Sequence, residues 1–200
     1  MTKIAATLLF LFFCTNVLAD ETIVFIRHGE KPESEFGQLN CQGLNRSLAL
    51  PANLINKFGK PDAIFAPNPN PTALQKESGK IFFYIRPLAT IEPTAIRLGL
   101  PVNLQFGIKD IADFQATLLS PTYQNAVIFV AWEHTWAQKI VQSLVESMDK
   151  KEAAKVPVWD RGDFDSIYVV RITGEAADRR VTFSLDKQGV SGLPDSCPVN

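Results

Sequence analysis

Residues 23–30 read IVFIRHGE. The segment Thr22–Ile26 is β-branched and apolar throughout, without the alternation expected of a strand that has one wet face. Such a run predicts a strand buried on both sides, as parallel strands usually are. It ends abruptly in Arg27, His28, Gly29 and Glu30. A core strand that delivers a cation and an imidazole at its tip is a rigid mount for polar chemistry.

The arrangement recurs further along. Ala126–Trp132 carries the strongest central-strand signal in the chain, and it runs into Glu133 and His134. The chain has two histidines, and each follows an apolar strand. Asp62–Ala66 reads as a further short strand, Ile81–Ile85 as a strand or extended run, and Ser166–Ile172 and Val181–Leu185 as late strands around the polar turn TGEAADRR. Helical spacing of apolar residues appears over Asn40–Phe58, interrupted or restarted at Pro51, and over Leu88–Leu98, Ile108–Leu119 and Thr135–Met148. Gly59 with Pro61, and Gly99 with Pro101, supply the stops.

Strands that alternate with helices predict an α/β fold of three layers, α/β/α, around a mainly parallel central sheet. Ligands in such sheets sit beyond the carboxyl ends of the strands. Arg27, His28 and His134 all fall there. The polar, proline-rich stretch 67–80, PNPNPTALQKESGK, reads as an inserted surface loop.

At 200 residues the chain is the size of one domain. Its formal net charge of −1 lacks the basic excess of a nucleic-acid binder, and 46% apolar residues are enough for a core. The first residues stand apart. Ile4–Phe13 is an apolar run too short to span a bilayer comfortably, and Val17-Leu18-Ala19 places small residues before Asp20. Residues 1–19 therefore read as a secretory signal, leaving one domain over 20–200, a periplasmic or secreted location and no stable membrane anchor after cleavage. Cys14 leaves with the signal. Cys41 and Cys197 remain, as one disulfide or as two free thiols.

Arg27-His28-Gly29 is coherent as a unit that handles phosphate. A neutral imidazole is a competent nucleophile toward phosphorus. An adjacent arginine offers planar, permanently charged donors to phosphoryl oxygens. A glycine lets the backbone approach the anion closely.

The surrounding blocks resemble the histidine phosphatase superfamily, also called phosphoglycerate mutase-like. IVFIRHGEKP resembles that family's opening strand and nucleophile motif. LNCQGLNRSLAL is similar to its following helix start, and PDAIFAPNP to its second strand. YIRPLATIEPTAIRLGLPV resembles the block with the pocket arginine, and VIFVAWEHTWAQKIVQSL the late strand, second histidine and helix. The resemblance spans about residues 22–172.

It implies a phosphoglycerate mutase-like fold and hydrolysis of a phosphate monoester, or of a phosphorylated substrate more broadly. His28 would be the nucleophile that becomes phosphohistidine. Arg27, Arg86 and His134 would complete the phosphate pocket. The alternative is a protein that keeps the pocket and binds phosphate without turnover. No cofactor or metal is implied. Departures from the family pattern are Ala66-Pro67 where serines are usual, the inserted loop, and Glu133 before the second histidine.

A leaving alkoxide needs a proton from a nearby carboxyl group. Asp110 is the first candidate, lying beyond Arg86 much as the acid does in many relatives. Glu133 is second, as a neighbour of His134, and Asp113 third. Glu30 is assigned to orienting the Arg-His-Gly loop. Asp160, Asp163 and Asp165 read as a solvated loop before a strand rather than a cation site. Trp132, Trp136 and Trp159 are expected in the core or the pocket wall.

Overall fold

In the computed structural model the opening apolar run becomes strand β1 (Asp20–Arg27), buried along all but its first residue. The structure describes residues 20–34, 36–70, 73–74, 79, 81–174 and 178–198. The expected signal, 1–19, lies outside the described residues, as do parts of the 67–80 loop and the middle of the TGEAADRR turn. In chain order there follow α1 (Cys41–Phe58), β2 (Ala63–Phe65), β3 (Ala73–Leu74), β4 (Ile81–Phe82), α2 (Arg86–Leu98) and β5 (Val102–Asn103). Next come α3 (Ile111–Leu118), β6 (Val127–Trp132), α4 (His134–Glu146), α5 (Lys150–Ala153), β7 (Ser166–Thr173) and β8 (Arg180–Lys187).

Among the described residues the main sheet has six strands in the order β5-β2-β6-β1-β7-β8. The first four are mutually parallel, and β7 runs antiparallel to both β1 and β8. Side chains alternate across β1. Ile23 and Phe25 enter the layer formed with α3, α4 and α5. Val24 and Ile26 enter the layer with Leu50 and Leu54 of α1 and Ile91 and Ala95 of α2. Both faces of β1 are therefore dry, which is why its sequence shows no alternation.

Three expectations are corrected. Helix α1 runs unbroken through Pro51. A mid-helix proline costs about 3 kcal/mol, but burying Leu50 and Leu54 completely returns about 1.5–3 kcal/mol each, so packing decides. Only Ile81–Phe82 of the expected strand at 81–85 is paired, and it pairs with β3 in a two-stranded ribbon apart from the main sheet. Helix α3 begins at Ile111, not Ile108. The indole nitrogen of Trp132 donates to the Ile108 carbonyl at 3.0 Å, and the Asp110 amide closes a turn on the Gly107 carbonyl at 3.1 Å.

Cys41, the first residue of α1, is bonded to Cys197 across 156 positions of sequence. The C-terminal tail is further held by the side-chain amides of Gln42 and Asn45, which donate to the carbonyls of Leu193, Pro194 and Ser196. No helix among the described residues is long and apolar enough to cross a membrane.

Candidate active site

Because β1 and β6 are parallel and in register, with Arg27 opposite Trp132, both chains leave the sheet at one level. The His28 amide donates to the Trp132 carbonyl at 3.0 Å, tying the two exits together. Helix α4 then starts at His134, and α2 starts at Arg86. Arg27, His28, Arg86, Glu133, His134 and Asp110 thus line one cleft of about 910 Å³. The amino ends of two helices face it, and each favours negative charge there.

His28 is 2% exposed. Its Nδ1 lies 2.7 Å from the Gly29 carbonyl, which can only accept, so Nδ1 carries the proton and Nε2 keeps its lone pair. Burial, with the charges of Arg86 and Arg27, pulls the imidazole down to about 3 against the opposing pull of Gly29 and Glu133. At neutral pH His28 is therefore a neutral imidazole with a lone pair on Nε2.

The glycines here are steric requirements. A Cβ on Gly29 would stand 3.0 Å from the Gly43 Cα and carbonyl oxygen, and one on Gly43 would strike the Glu30 carbonyl. The loop and α1 cross backbone to backbone. The Gly29 amide donates to the Thr90 hydroxyl at 2.8 Å, which itself donates to the Arg86 carbonyl at 2.8 Å, so Thr90 joins the loop to the first turn of α2.

Arg27 is 3% exposed and Arg86 7%. One Arg27 nitrogen, Nη1, donates to the carbonyls of Arg161 and Asp163 at 2.6 and 3.2 Å, and its guanidinium lies 3.8 Å over the Phe164 ring. The Arg86 guanidinium lies 4.3 Å over Tyr84. Burial pushes the Tyr84 hydroxyl up to about 12, so it stays protonated. Arg27 Nε and Arg86 Nε and Nη1 are buried with no hydrogen-bond partner among the described residues. Buried charged donors left open are costly. An anion between them would supply the missing acceptors.

The three acid candidates separate. Glu133 caps α4, accepting from the Trp136 amide at 3.1 Å and the Thr135 hydroxyl at 3.2 Å, and it contacts His134 Nδ1. Burial alone would raise this carboxyl, but His134 and the capping donors outweigh it and hold it down to about 2. Glu133 is a carboxylate that fixes His134. Asp110 lines the cleft, and its Oδ2 accepts from the Gly107 amide at 2.8 Å. Asp113 is exposed on α3 and does not line the cleft.

Glu30 sits directly behind the loop, bound to Arg46 of α1 through both carboxylate oxygens at 2.6–3.1 Å. Of the three late aspartates Asp160 is exposed, as expected of a solvated loop, whereas Asp163 and Asp165 are half-buried and tied into the fold. Asp163 accepts from the Ser166 hydroxyl and from two backbone amides, and Asp165 accepts from the amides of Gly189 and Val190. Among the described residues no group of three or more histidines, cysteines or acids is placed to hold a metal ion. Trp132 and Trp159 are core, and Trp136 is wall.

Sequence reasoning missed Lys31, Tyr84 and Arg161, which also line the cleft, and Phe164 beneath Arg27. Tyr84 could have been found, since it stands two residues before Arg86 in an extended run. Arg161 and Phe164 could not, because only the tertiary fold brings them to β1.

No protein-family profile and no curated protein matches the chain. Solved structures do resemble it. A mycobacterial protein named hydrolase 2 superposes with a TM-score of 0.57 at 12% identity, over 87% of this chain and 94% of that one. A candidate phosphohistidine phosphatase, SixA from Nakamurella multipartitia, superposes with a TM-score of 0.52 at 13% identity, over 84% of this chain and 95% of that one. At such identities the likeness establishes the fold alone, a central, mostly parallel sheet flanked by helices, in agreement with the phosphoglycerate mutase-like fold expected from the sequence.

Proposed function

We propose that the chain is an exported phosphatase that hydrolyses a phosphate monoester, without a metal, through a phosphohistidine on His28. One observation carries the reading: a buried, neutral histidine shares a cleft with two buried arginines, each of which keeps at least one buried donor without an acceptor among the described residues. The fold shared with phosphatases, and the motifs around His28, Arg86 and His134, support it. The Cys41–Cys197 bond and the apolar leader support export.

In this reading Arg27 and Arg86 hold the phosphoryl oxygens and stabilise their charge as transfer proceeds. Nε2 of His28 forms the P–N bond while the ester P–O bond breaks. Asp110 gives the departing oxygen its proton, then takes one from the water that attacks phosphorus. The P–N bond breaks, its electron pair returns to Nε2, and phosphate leaves. Glu133 orients His134 toward the same phosphoryl group. A binding role for the pocket has one observation in its favour: with Glu133 held ionised, Asp110 alone is left to supply the proton.

The test is phosphate release from phenyl phosphate, with chelator present, by mature protein and by His28→Ala. Steady turnover in the wild type that vanishes in the variant is expected. A folded wild type that binds phosphate but releases none from any ester would favour the binding role.

A further inference from the structure

Two aromatic rings bracket the imidazole of His28. Tyr84 meets it at a centroid distance of 5.8 Å with the planes at 85°, and Phe164 at 6.2 Å and 61°. Each ring also carries one cleft arginine on its face, Arg86 at 4.3 Å over Tyr84 and Arg27 at 3.8 Å over Phe164. The brackets differ in one respect. Tyr84 lines the cleft, whereas Phe164 stands outside the lining, half-buried. Phe164 can therefore influence a bound anion only through the groups it touches.

The turn that carries Phe164 is fastened on both sides of the ring. Asp163 Oδ1 accepts from the amides of Asp165 and Ser166, each at 2.9 Å, and the buried Trp159 indole donates to the Asp163 carbonyl at 3.1 Å. Asp165 Oδ1 accepts from the amides of Gly189 and Val190 at 3.0 and 3.2 Å, and the Asp165 carbonyl accepts from the Gln188 amide at 2.7 Å. The stretch WDRGDFDS is thus a strap laid against the end of β1, and two of its aspartates hold it closed.

Arg27 meets this strap in three ways. Its Nη1 donates to the carbonyls of Arg161 and Asp163, and the face of its guanidinium rests on Phe164. Hydrogen bonds at Nη1 alone would still let the planar group tilt. A ring against the face opposes the tilt and sets the plane. The buried Nε, which has no acceptor among the described residues, then points in one fixed direction. A donor that stabilises a transferring phosphoryl group works by standing in advance where charge develops.

We propose that Phe164 is a positioning residue for phosphoryl transfer, fixing the plane of the Arg27 guanidinium relative to the His28 imidazole. The proposal rests on the phosphatase reading for its catalytic consequence. Phe164 forms no bond and breaks none; the transfer to Nε2 and the hydrolysis that follows run as given above. Its contribution grows as the transition state is approached, because a tilted donor is felt most where the charge has developed. Losing the ring should therefore lower kcat more than it changes KM.

The experiment compares hydrolysis of phenyl phosphate by the mature wild type, Phe164→Leu, Phe164→Tyr and Phe58→Leu. Leucine stays apolar but has no ring face, and tyrosine keeps one. Phe58, half-buried at the last residue of α1 and outside the cleft, controls for the loss of a ring elsewhere. Phe164→Leu should lower kcat by about 10- to 100-fold with KM within about threefold, while Phe164→Tyr and Phe58→Leu stay near wild type. In an Arg27→Lys background Phe164→Leu should cost far less, since its effect passes through the guanidinium. Should Phe164→Leu fail to fold, Phe164→Met takes its place.

A kcat unchanged in Phe164→Leu, an equal loss in Phe164→Tyr or Phe58→Leu, or an equal loss in the Arg27→Lys background overturns the proposal. If the folded wild type hydrolyses no ester, the phosphatase reading fails by itself, and the same variants are compared in Kd for inorganic phosphate by calorimetry. A phosphate affinity that falls in Phe164→Leu and holds in Phe164→Tyr keeps the positioning of Arg27. An affinity that is the same in all of them refutes it.

Discussion

Two buried arginine sites, one on each side of the Arg-His-Gly-Glu loop, are treated oppositely by the fold. Arg46, on α1, is 4% exposed and fully partnered: Glu30 takes three of its hydrogen bonds, Gln188 a fourth, and Asp165 stands 3.7 Å away. Arg86, at the start of α2, is 7% exposed, yet its Nε and Nη1 find no acceptor among the described residues. Burial is nearly equal, so burial does not separate structure from site. Partnership does. A charge satisfied within the chain holds the loop in place, and a charge left open awaits an anion.

The comparison can be broken first at the bond that anchors α1. Cys41 begins that helix and pins the tail to it. On the chain-entropy model a loop of this length contributes up to about 5 kcal/mol. Cys41→Ser with Cys197→Ser should lower the denaturation midpoint by the largest amount of any change discussed. The same loss should appear when the wild type is unfolded under reducing conditions. Equal midpoints in oxidant and reductant would show that the tail contacts suffice without the bond.

Arg46→Met comes next. It leaves Glu30 buried and unpaired, which costs about 3–5 kcal/mol. Adding Glu30→Gln should recover part of that loss, since the uncompensated charge is gone. Arg86→Met is expected to do the reverse. Its thermal midpoint should hold or rise, because an open buried charge is removed, while kcat/KM falls by about 10²–10³-fold for loss of a transition-state donor. If Arg86→Met destabilises as much as Arg46→Met, the distinction between the two sites fails.

These two sites were unequally legible in the sequence. The floor of the cleft could be read from its tips, because β1 and β6 are unbroken apolar runs that stop at Arg27-His28 and at Glu133-His134. Arg86 came only from the resemblance of its block, YIRPLAT, to the family's pocket-arginine motif. The partnership of Arg46 could not, since Gln188 lies 142 positions away and meets it only through the β7–β8 hairpin. Arg161 was hidden likewise: its turn reaches Arg27 across 134 positions. The resemblance places Asp110 ahead of Glu133, but the capping hydrogen bonds that hold Glu133 ionised were beyond sequence, because they appear only once α4 starts at His134. Periodicity reports what a segment buries, and pairing between distant polar groups leaves no periodic trace.

A third charged residue, at the opposite end of β1, lies between the two regimes. Glu21 is 1% exposed; its Oε2 meets Arg179 at 3.1 Å, but Oε1 has no partner among the described residues. Burial raises its carboxyl from 4.5 to about 7, and Arg179 only partly opposes the rise. The folded chain therefore holds this proton more tightly than the unfolded chain. The stabilisation is complete below about pH 4.5 and is lost as pH rises through about 7. Glu21→Gln removes the titration. Relative to wild type it should match near pH 4 and gain of order 2–3 kcal/mol by pH 8. His28 titrates in the opposite sense, with stability lost as pH falls below about 6.5, but it is present in both proteins and cancels in the difference. A difference that stays flat from pH 4 to 8 would mean that Arg179 satisfies Glu21 as fully as Glu30 satisfies Arg46. A difference that opens across that window would mean that half a partnership leaves a buried charge exposed to pH.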